Sequence, residues 1–203
     1  KATVDVVHKN GGVFIADEVQ PGFARTGQAF FGFARHGIVP DMITMGKPMG
    51  NGIPISGLAA KEDVLAAFSD KLPYFNTFGG NPVSIAAAQA VLKYIKDENL
   101  QEHCKKAGGA LLKALKEVQE RHPESVGDVR GAGLFLGFEF VKNDGNKTPD
   151  KDMALNVIEM LRDEHILTSV IGHYGNILKL RPPMVFSEND IDWFATSLDK
   201  CIT

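Results

Sequence analysis

The sequence predicts an α/β fold: part of a large layer built on a mainly parallel sheet, followed by a smaller α+β layer. Three observations carry this prediction. A short apolar run, Val13-Phe14-Ile15-Ala16, follows a Gly-Gly break and stops at Asp17-Glu18, the pattern of a strand buried on both faces of a parallel sheet. Two further short runs, Met42 to Met45 and Ile55 to Ala60, read as successive strands of the same sheet. From Pro82 onward the apolar residues switch to helical spacing, with Pro82 itself suited to a first turn.

Each element has a local reason. Val4 and Val7, three apart and running into Asn10-Gly11-Gly12, read as the tail of a helix. The stretch from Pro21 to Gly37, with Phe23, Phe30, Phe31 and Phe33, is too irregular for an amphipathic helix and too apolar for a solvated linker. It is expected to be a folded loop holding a short helix. Val83, Ala86, Ala87, Ala90, Val91, Tyr94 and Ile95 mark one helix, and Leu100, Cys104, Ala107, Leu111, Leu115 and Val118 mark a second. The second stops near Arg121-His122-Pro123, because proline cannot continue it. A strand over Leu134 to Val141, a helix over Asp150 to Glu164 and a strand over Ile177 to Leu180 follow. The last helix opens at Ser187, whose hydroxyl can cap it, and buries Ile191, Phe194 and Leu198. The domain boundary is expected near residue 103, dividing the chain into 1–103 and 104–203.

Composition bounds the function. At 203 residues with 44% hydrophobic and 23% charged side chains, the chain is an ordinary globular one, not a disordered, collagenous or coiled-coil sequence. The 22 basic and 25 acidic residues are interspersed, so no nucleic-acid partner is expected. No apolar run approaches the length of about eighteen residues that a spanning helix needs, so no membrane partner is expected either. Cys104 and Cys201 lack metal or redox spacing and read as small buried hydrophobes of a reducing, cytoplasmic compartment. The chain opens at Lys1 within a helical pattern, so further residues are expected to precede it.

The chemistry concentrates between Asp17 and Gly52: Asp17-Glu18-Val19-Gln20, Gly22, Arg25-Thr26-Gly27, Asp41-Met42, then Gly46-Lys47 and Gly50-Asn51-Gly52. A lysine at a strand end among glycines and apolar residues would be partly desolvated, which disfavours its ammonium form and leaves an amine able to attack an aldehyde. Asp17, at the end of the neighbouring strand, supplies a carboxylate that can keep a pyridine nitrogen protonated, and Gln20 could donate a hydrogen bond to a phenolic oxygen. A surface role is the plain alternative for a lone Gly-Lys. Walker-type phosphate binding is disfavoured by Asp41, where the first glycine should stand, and by Pro48, where Ser or Thr would hold a metal. No histidine lies at ligand spacing beside Asp17 and Glu18, so no metal is expected. Glu18 is the more structural of the two acids, since adjacent strand residues face opposite ways.

This constellation resembles the signature of the class III (ω-amino acid) aminotransferases, pyridoxal-phosphate enzymes of fold type I. The resemblance continues through Asn76-Thr77-Phe78-Gly79-Gly80-Asn81-Pro82 and Gly127-Asp128-Val129-Arg130-Gly131 to Pro182-Pro183. It implies the later part of the large cofactor-binding domain and the small C-terminal α+β domain. It also implies that Lys47 forms the Schiff base with pyridoxal 5'-phosphate, Asp17 pairs with the ring nitrogen, Gln20 touches the ring oxygen, and Thr77 reaches the cofactor phosphate of the other subunit in a homodimer. The implied reaction moves an amino group from an ω-amino acid or amine to a 2-oxo acid or glyoxylate. One place departs from the pattern: where many members carry an arginine that clamps the substrate carboxylate, this chain has Lys179, with Arg181 two positions on. That departure looks more like the subgroup around alanine-glyoxylate aminotransferase 2 and the phospho-lyases of phosphoethanolamine and phosphohydroxylysine. The alternatives are therefore a phospho-lyase on the same scaffold, with Lys179 and Arg181 on a phosphate, or an inactive piece of such an enzyme.

Overall fold

The computed structural model describes residues 1–202, which form two compact units, Lys1–Gln101 and Glu102 onward. In the first unit, α1 (Ala2–Lys9) leads to β1 (Ile15–Asp17), a 3-10 turn (Gly32–His36) and β2 (Met42–Met45). A second 3-10 turn (Lys47–Gly50), β3 (Gly57–Ala60), α2 (Glu62–Ser69) and α3 (Pro82–Asp97) follow. β1 and β2 pair in parallel with Asp17 opposite Thr44, whereas β3 pairs antiparallel to β2. The sheet is therefore mixed. Only residues 51–56 join the Lys47 turn to β3, too few for the crossover of a dozen or more residues that a parallel partner needs.

The expectation that the first strand is buried on both faces needs correction. The register places Ile15, Asp17, Met42, Thr44, Leu58 and Ala60 on one face, and there Ile15 is 52% and Leu58 54% exposed. Ala16, on the opposite face, is buried. An apolar run reports affinity for a core but not which faces this unit covers. The loop after β1 is folded as expected, with Phe23, Phe30, Phe31 and Phe33 in a chain of ring contacts. α2 was not anticipated from the sequence.

Asp41 fastens the entrance of the parallel pair. Its Oδ1 accepts from Lys61 Nζ at 2.7 Å, and its Oδ2 accepts from the Phe14 amide at 2.8 Å and lies 2.7 Å from His8 Nε2. One buried carboxylate thus ties α1, the residue before β1, and the residue after β3 to the start of β2. The Lys61 ammonium, then the Phe14 amide, then His8 hold this carboxyl well below the usual carboxylate range.

The second unit runs from within α4 (Leu100–Arg121) through β4 (Val126–Ala132), β5 (Phe135–Phe140), α5 (Lys151–Asp163), β6 (Val170–Ile171) and β7 (Ile177–Leu180) to α6 (Glu188–Ile202). Its antiparallel sheet has the order β4-β5-β7-β6. Alternate residues Leu136, Phe138 and Phe140 face the core, where they meet the Cys104, Ala107, Leu111, Leu115 and Val118 stripe of α4 and residues of α5 and α6. Each fully buried Leu or Phe side chain contributes roughly 1.5–3 kcal/mol. The helix starts are capped as their residue types predict. Asp150 accepts from the Met153 amide, while Ser187 and Asp190 cap each other reciprocally at the start of α6. β7 forms over the residues expected. β4 was not anticipated, because its Gly127, Asp128, Arg130 and Gly131 hide the strand alternation.

α4 packs directly on the β4–β5 turn. A Cβ placed on Gly108 would lie 2.2 Å from the carbonyl carbon and oxygen of Gly133, which has φ +53°. A Gly108→Ala variant is therefore expected to lose about 1–3 kcal/mol of stability in urea unfolding, through overpacking against backbone; a loss under about 0.5 kcal/mol would contradict the close approach. The Asp41 clamp predicts a pH signature. Its folded-state carboxyl titrates below its unfolded value, so its stabilisation is complete above about pH 4 and fades as pH falls further. The melting-temperature gap between the native protein and Asp41→Asn should be wide at pH 7 and narrow steadily below pH 4. A gap that does not depend on pH would contradict it.

Candidate functional site

Asp17 ends β1 and is exposed. Its Oδ1 accepts from the Val19 amide at 3.0 Å and from Thr44 Oγ1 at 3.4 Å, while Oδ2 has no partner among the described residues. The carboxylate is thus anchored by one oxygen and left open at the other. Glu18 points the other way and is 2% exposed, as expected from strand alternation. Its carboxylate accepts from the Gly32 and Phe33 amides, each at 2.7 Å, and so caps the first 3-10 turn.

Lys47 leaves β2 three residues after Thr44, the register partner of Asp17. The parallel pairing therefore delivers Asp17 and Lys47 to the same C-terminal edge, where ligands of open α/β sheets bind. Lys47 has φ +37°, a left-handed conformation that costs a non-glycine residue on the order of 1 kcal/mol or more and that gathers at functional sites. No hydrogen bond or ion pair among the described residues engages its ammonium. The expected desolvation is not supplied by this chain: Lys47 is exposed, because its glycine neighbours have no side chains to cover it. Gln20, also exposed, follows in the turn that the Gly22 amide closes onto the Glu18 carbonyl at 3.1 Å.

Thr77 lies elsewhere, in the exposed loop between α2 and α3. Asn76 Oδ1 shapes that loop by accepting from the Phe78 and Gly79 amides, and no hydrogen bond joins Thr77 to Asp17, Gln20 or Lys47. Tyr74, Phe75 and Phe78 beside it are 75%, 85% and 80% exposed.

Lys179 and Arg181 belong to the second unit, where both line a cleft of about 520 Å³ together with His165, Thr168, Phe186 and Trp193. The Arg181 guanidinium stacks over the Phe135 ring at 4.8 Å, an arrangement that fixes its plane. The Lys179 ammonium has no ion pair among the described residues. Two cations on a mostly apolar wall suit an anionic group. No cluster of three or more His, Cys, Asp or Glu that could hold a metal occurs among the described residues. Cys104 and Cys201 are buried, as expected, and form no disulfide among the described residues.

Sequence reasoning missed Thr44 as an anchor of Asp17, since the register that joins them is not local. Within their own units, His8 meets Asp41 at 2.7 Å and His122 meets Asp199 at 2.9 Å.

These are the residue types that a pyridine aldehyde cofactor would call for: an amine, a carboxylate oxygen without a partner among the described residues for a ring nitrogen, and an amide for a ring oxygen. The profile of the family described as aminotransferase class-III matches residues 2–202. The chain is 44% identical over 200 residues to ethanolamine-phosphate phospho-lyase homolog 1 of Caenorhabditis elegans, covering 97% of this chain and 43% of that protein. It is 42% identical over 198 residues to alanine–glyoxylate aminotransferase 2 homolog 2, mitochondrial, of Arabidopsis thaliana, covering 98% and 41%. A solved phospholyase from Arthrobacter in complex with phosphoethanolamine superposes with a TM-score of 0.93 at 39% identity, over 98% of this chain and 47% of that one. The chain thus spans less than half the length of the relatives it matches, and its fold is that of fold type I transaminases and phospho-lyases. It belongs to the class III aminotransferase family, which implies pyridoxal 5'-phosphate as its cofactor.

Proposed function

We propose that this chain carries the lysine and the ring-binding acid of a pyridoxal-phosphate-dependent aminotransferase that moves an amino group from an amine or ω-amino acid to a 2-oxo acid or glyoxylate. The observation that supports it most is the convergence of an unpaired Lys47 and a half-anchored Asp17 at one strand edge. When bound, the cofactor supplies an aldehyde that takes up amines and a protonated ring that accepts electrons from the substrate carbon. The chain's own residues do the rest. Lys47 Nζ is the amine that holds the cofactor between turnovers and, once displaced, moves a proton from the amine-bearing carbon. Asp17 Oδ2 keeps the proton on the ring nitrogen, with Oδ1 steadied by Val19 and Thr44. Gln20 donates to the ring oxygen, and Lys179 and Arg181 take the substrate's anionic end.

Thr77 contributes its hydroxyl to the phosphate held by a second copy of the protein in a homodimer. The exposure of Tyr74, Phe75 and Phe78 in its loop supports that role, since such aromatic patches seek a partner surface. A cytoplasmic location completes the reading. No helix among the described residues is long and apolar enough to cross a membrane.

A phospho-lyase is the second reading. Lys179 in place of an arginine favours it, because a lysine and an arginine together offer separate charges to a tetrahedral dianion rather than one planar fork to a carboxylate. It also accords with the similarity to phospho-lyases.

The full-length protein should develop a visible absorption band with added pyridoxal phosphate. Lys47→Ala should lose the band, and Asp17→Asn should keep it while losing at least about a hundredfold in turnover. Amino transfer to glyoxylate supports the first reading, whereas phosphate release from phosphoethanolamine without an acceptor supports the second. A Lys47→Ala protein that keeps band and turnover would contradict both.

A further inference from the structure

We infer that Glu18 is a positioning residue for the cofactor ring, fixing where the Asp17 carboxylate and the Gln20 amide meet it although Glu18 itself faces away. The inference rests on the reading of Asp17 and Gln20 given above and deepens it. All four hydrogen-bonding groups of Glu18 are engaged. Its amide donates to the Thr44 carbonyl at 3.0 Å, which carries the parallel ladder one step past β1. Its carbonyl accepts from the Gly22 amide at 3.1 Å and closes the turn that contains Gln20. Its two carboxylate oxygens accept from the Gly32 and Phe33 amides at 2.7 Å.

Glu18 therefore joins three things that must stay in register: the end of β1 with Asp17, the end of β2 leading to Lys47, and the far side of the aromatic loop. The loop has no slack there. A Cβ on Gly32 would sit 3.3 Å from Glu18 Oε2 and 2.9 Å from Pro21 Cβ, and one on Gly22 would sit 2.6 Å from the Glu18 carbonyl oxygen. The buried carboxylate has no cationic partner among the described residues, so its acceptors serve the two backbone amides. Both N–H groups would be left unpaired if it were removed, at a cost that forces the loop to move.

Glu18→Gln is the sharpest variant. It keeps the shape but turns one acceptor into a donor facing an N–H, so one of the two bonds must break. Phe33→Ala is the control: it removes a ring that stacks on Phe31 at 5.7 Å but keeps the Phe33 amide. In the full-length protein, Glu18→Gln is expected to weaken pyridoxal phosphate binding about tenfold in an absorbance titration. It should also move the pH midpoint of the visible band by about half a unit or more. Glu18→Ala should exceed it in both. Phe33→Ala should lower the melting temperature yet leave binding and midpoint within about twofold and 0.2 unit of native.

Should Glu18→Gln lower only the melting temperature, or should Phe33→Ala shift the midpoint as much, Glu18 is a structural residue and the inference is overturned. If Glu18→Gln does not fold, Gly32→Ala crowds the same bond from the other side. It is expected to shift the midpoint too, and an unchanged midpoint counts against the inference. Native protein that binds no cofactor overturns the functional reading itself, an outcome distinct from a native protein that binds while the variants behave alike.

Discussion

The pairing of the proposed lysine with the proposed ring-binding acid depends on the parallel register of β1 and β2. Slipping that register by one residue would turn Asp17 to the opposite face relative to β2 and break the Thr44 contact, leaving only the local Val19 amide on its Oδ1. Short strands have little backbone pairing with which to enforce a register, so further contacts fasten both ends. The Asp41 carboxylate clamps the entrance through Lys61, Phe14 and His8, and at the exit the Glu18 amide donates to the Thr44 carbonyl while its carboxylate holds the Gly32 and Phe33 amides. Buried carboxylates are costly unless satisfied, so an arrangement that breaks these bonds is disfavoured.

The second unit presents its residues on a different principle. There the sheet is antiparallel and its register follows from alternation against a large apolar core, with the Arg130–Glu139 ion pair joining β4 to β5 on the exposed side. On β7, Leu178 and Leu180 are buried and alternate with Lys179 and, one residue past the strand's end, Arg181, so the same packing that holds the strand also delivers two cations to the cleft. A functional side chain on a strand anchored by such a core is better placed than one on a loop. Arg181 gains further definition from the Phe135 ring.

Much of this was legible in the sequence, for reasons that differ by element. The helices α3 to α6 announce themselves in the sequence, two of them also through Pro82 and Ser187 at their starts, while the capping role of Asn81 came only with the structure. Asp17 and Lys47 were legible because each ends a short apolar run at a charged residue. What stayed hidden is non-local. Nothing local pairs Asp17 with Thr44, reveals that Ile15 and Leu58 line an open face, or shows that the return to β3 is antiparallel. β4 escaped because Gly127 sits at a register irregularity and Gly131, though paired with Leu136, offers no side chain to the alternation. The exposure of Lys47 shows the limit most plainly: neighbouring glycines suggest a cramped site in the sequence, yet they also leave a side chain uncovered.

The central claim is electrical: the carboxylate at the end of β1 keeps a proton on the nitrogen of a ring whose other end is tied to the amine after β2. Nitrogen-15 NMR of the full-length protein loaded with ring-labelled pyridoxal phosphate reads that proton directly. The account predicts a protonated nitrogen in the native protein at neutral pH and a deprotonated one in Asp17→Asn. A nitrogen with the same protonation in both would contradict it.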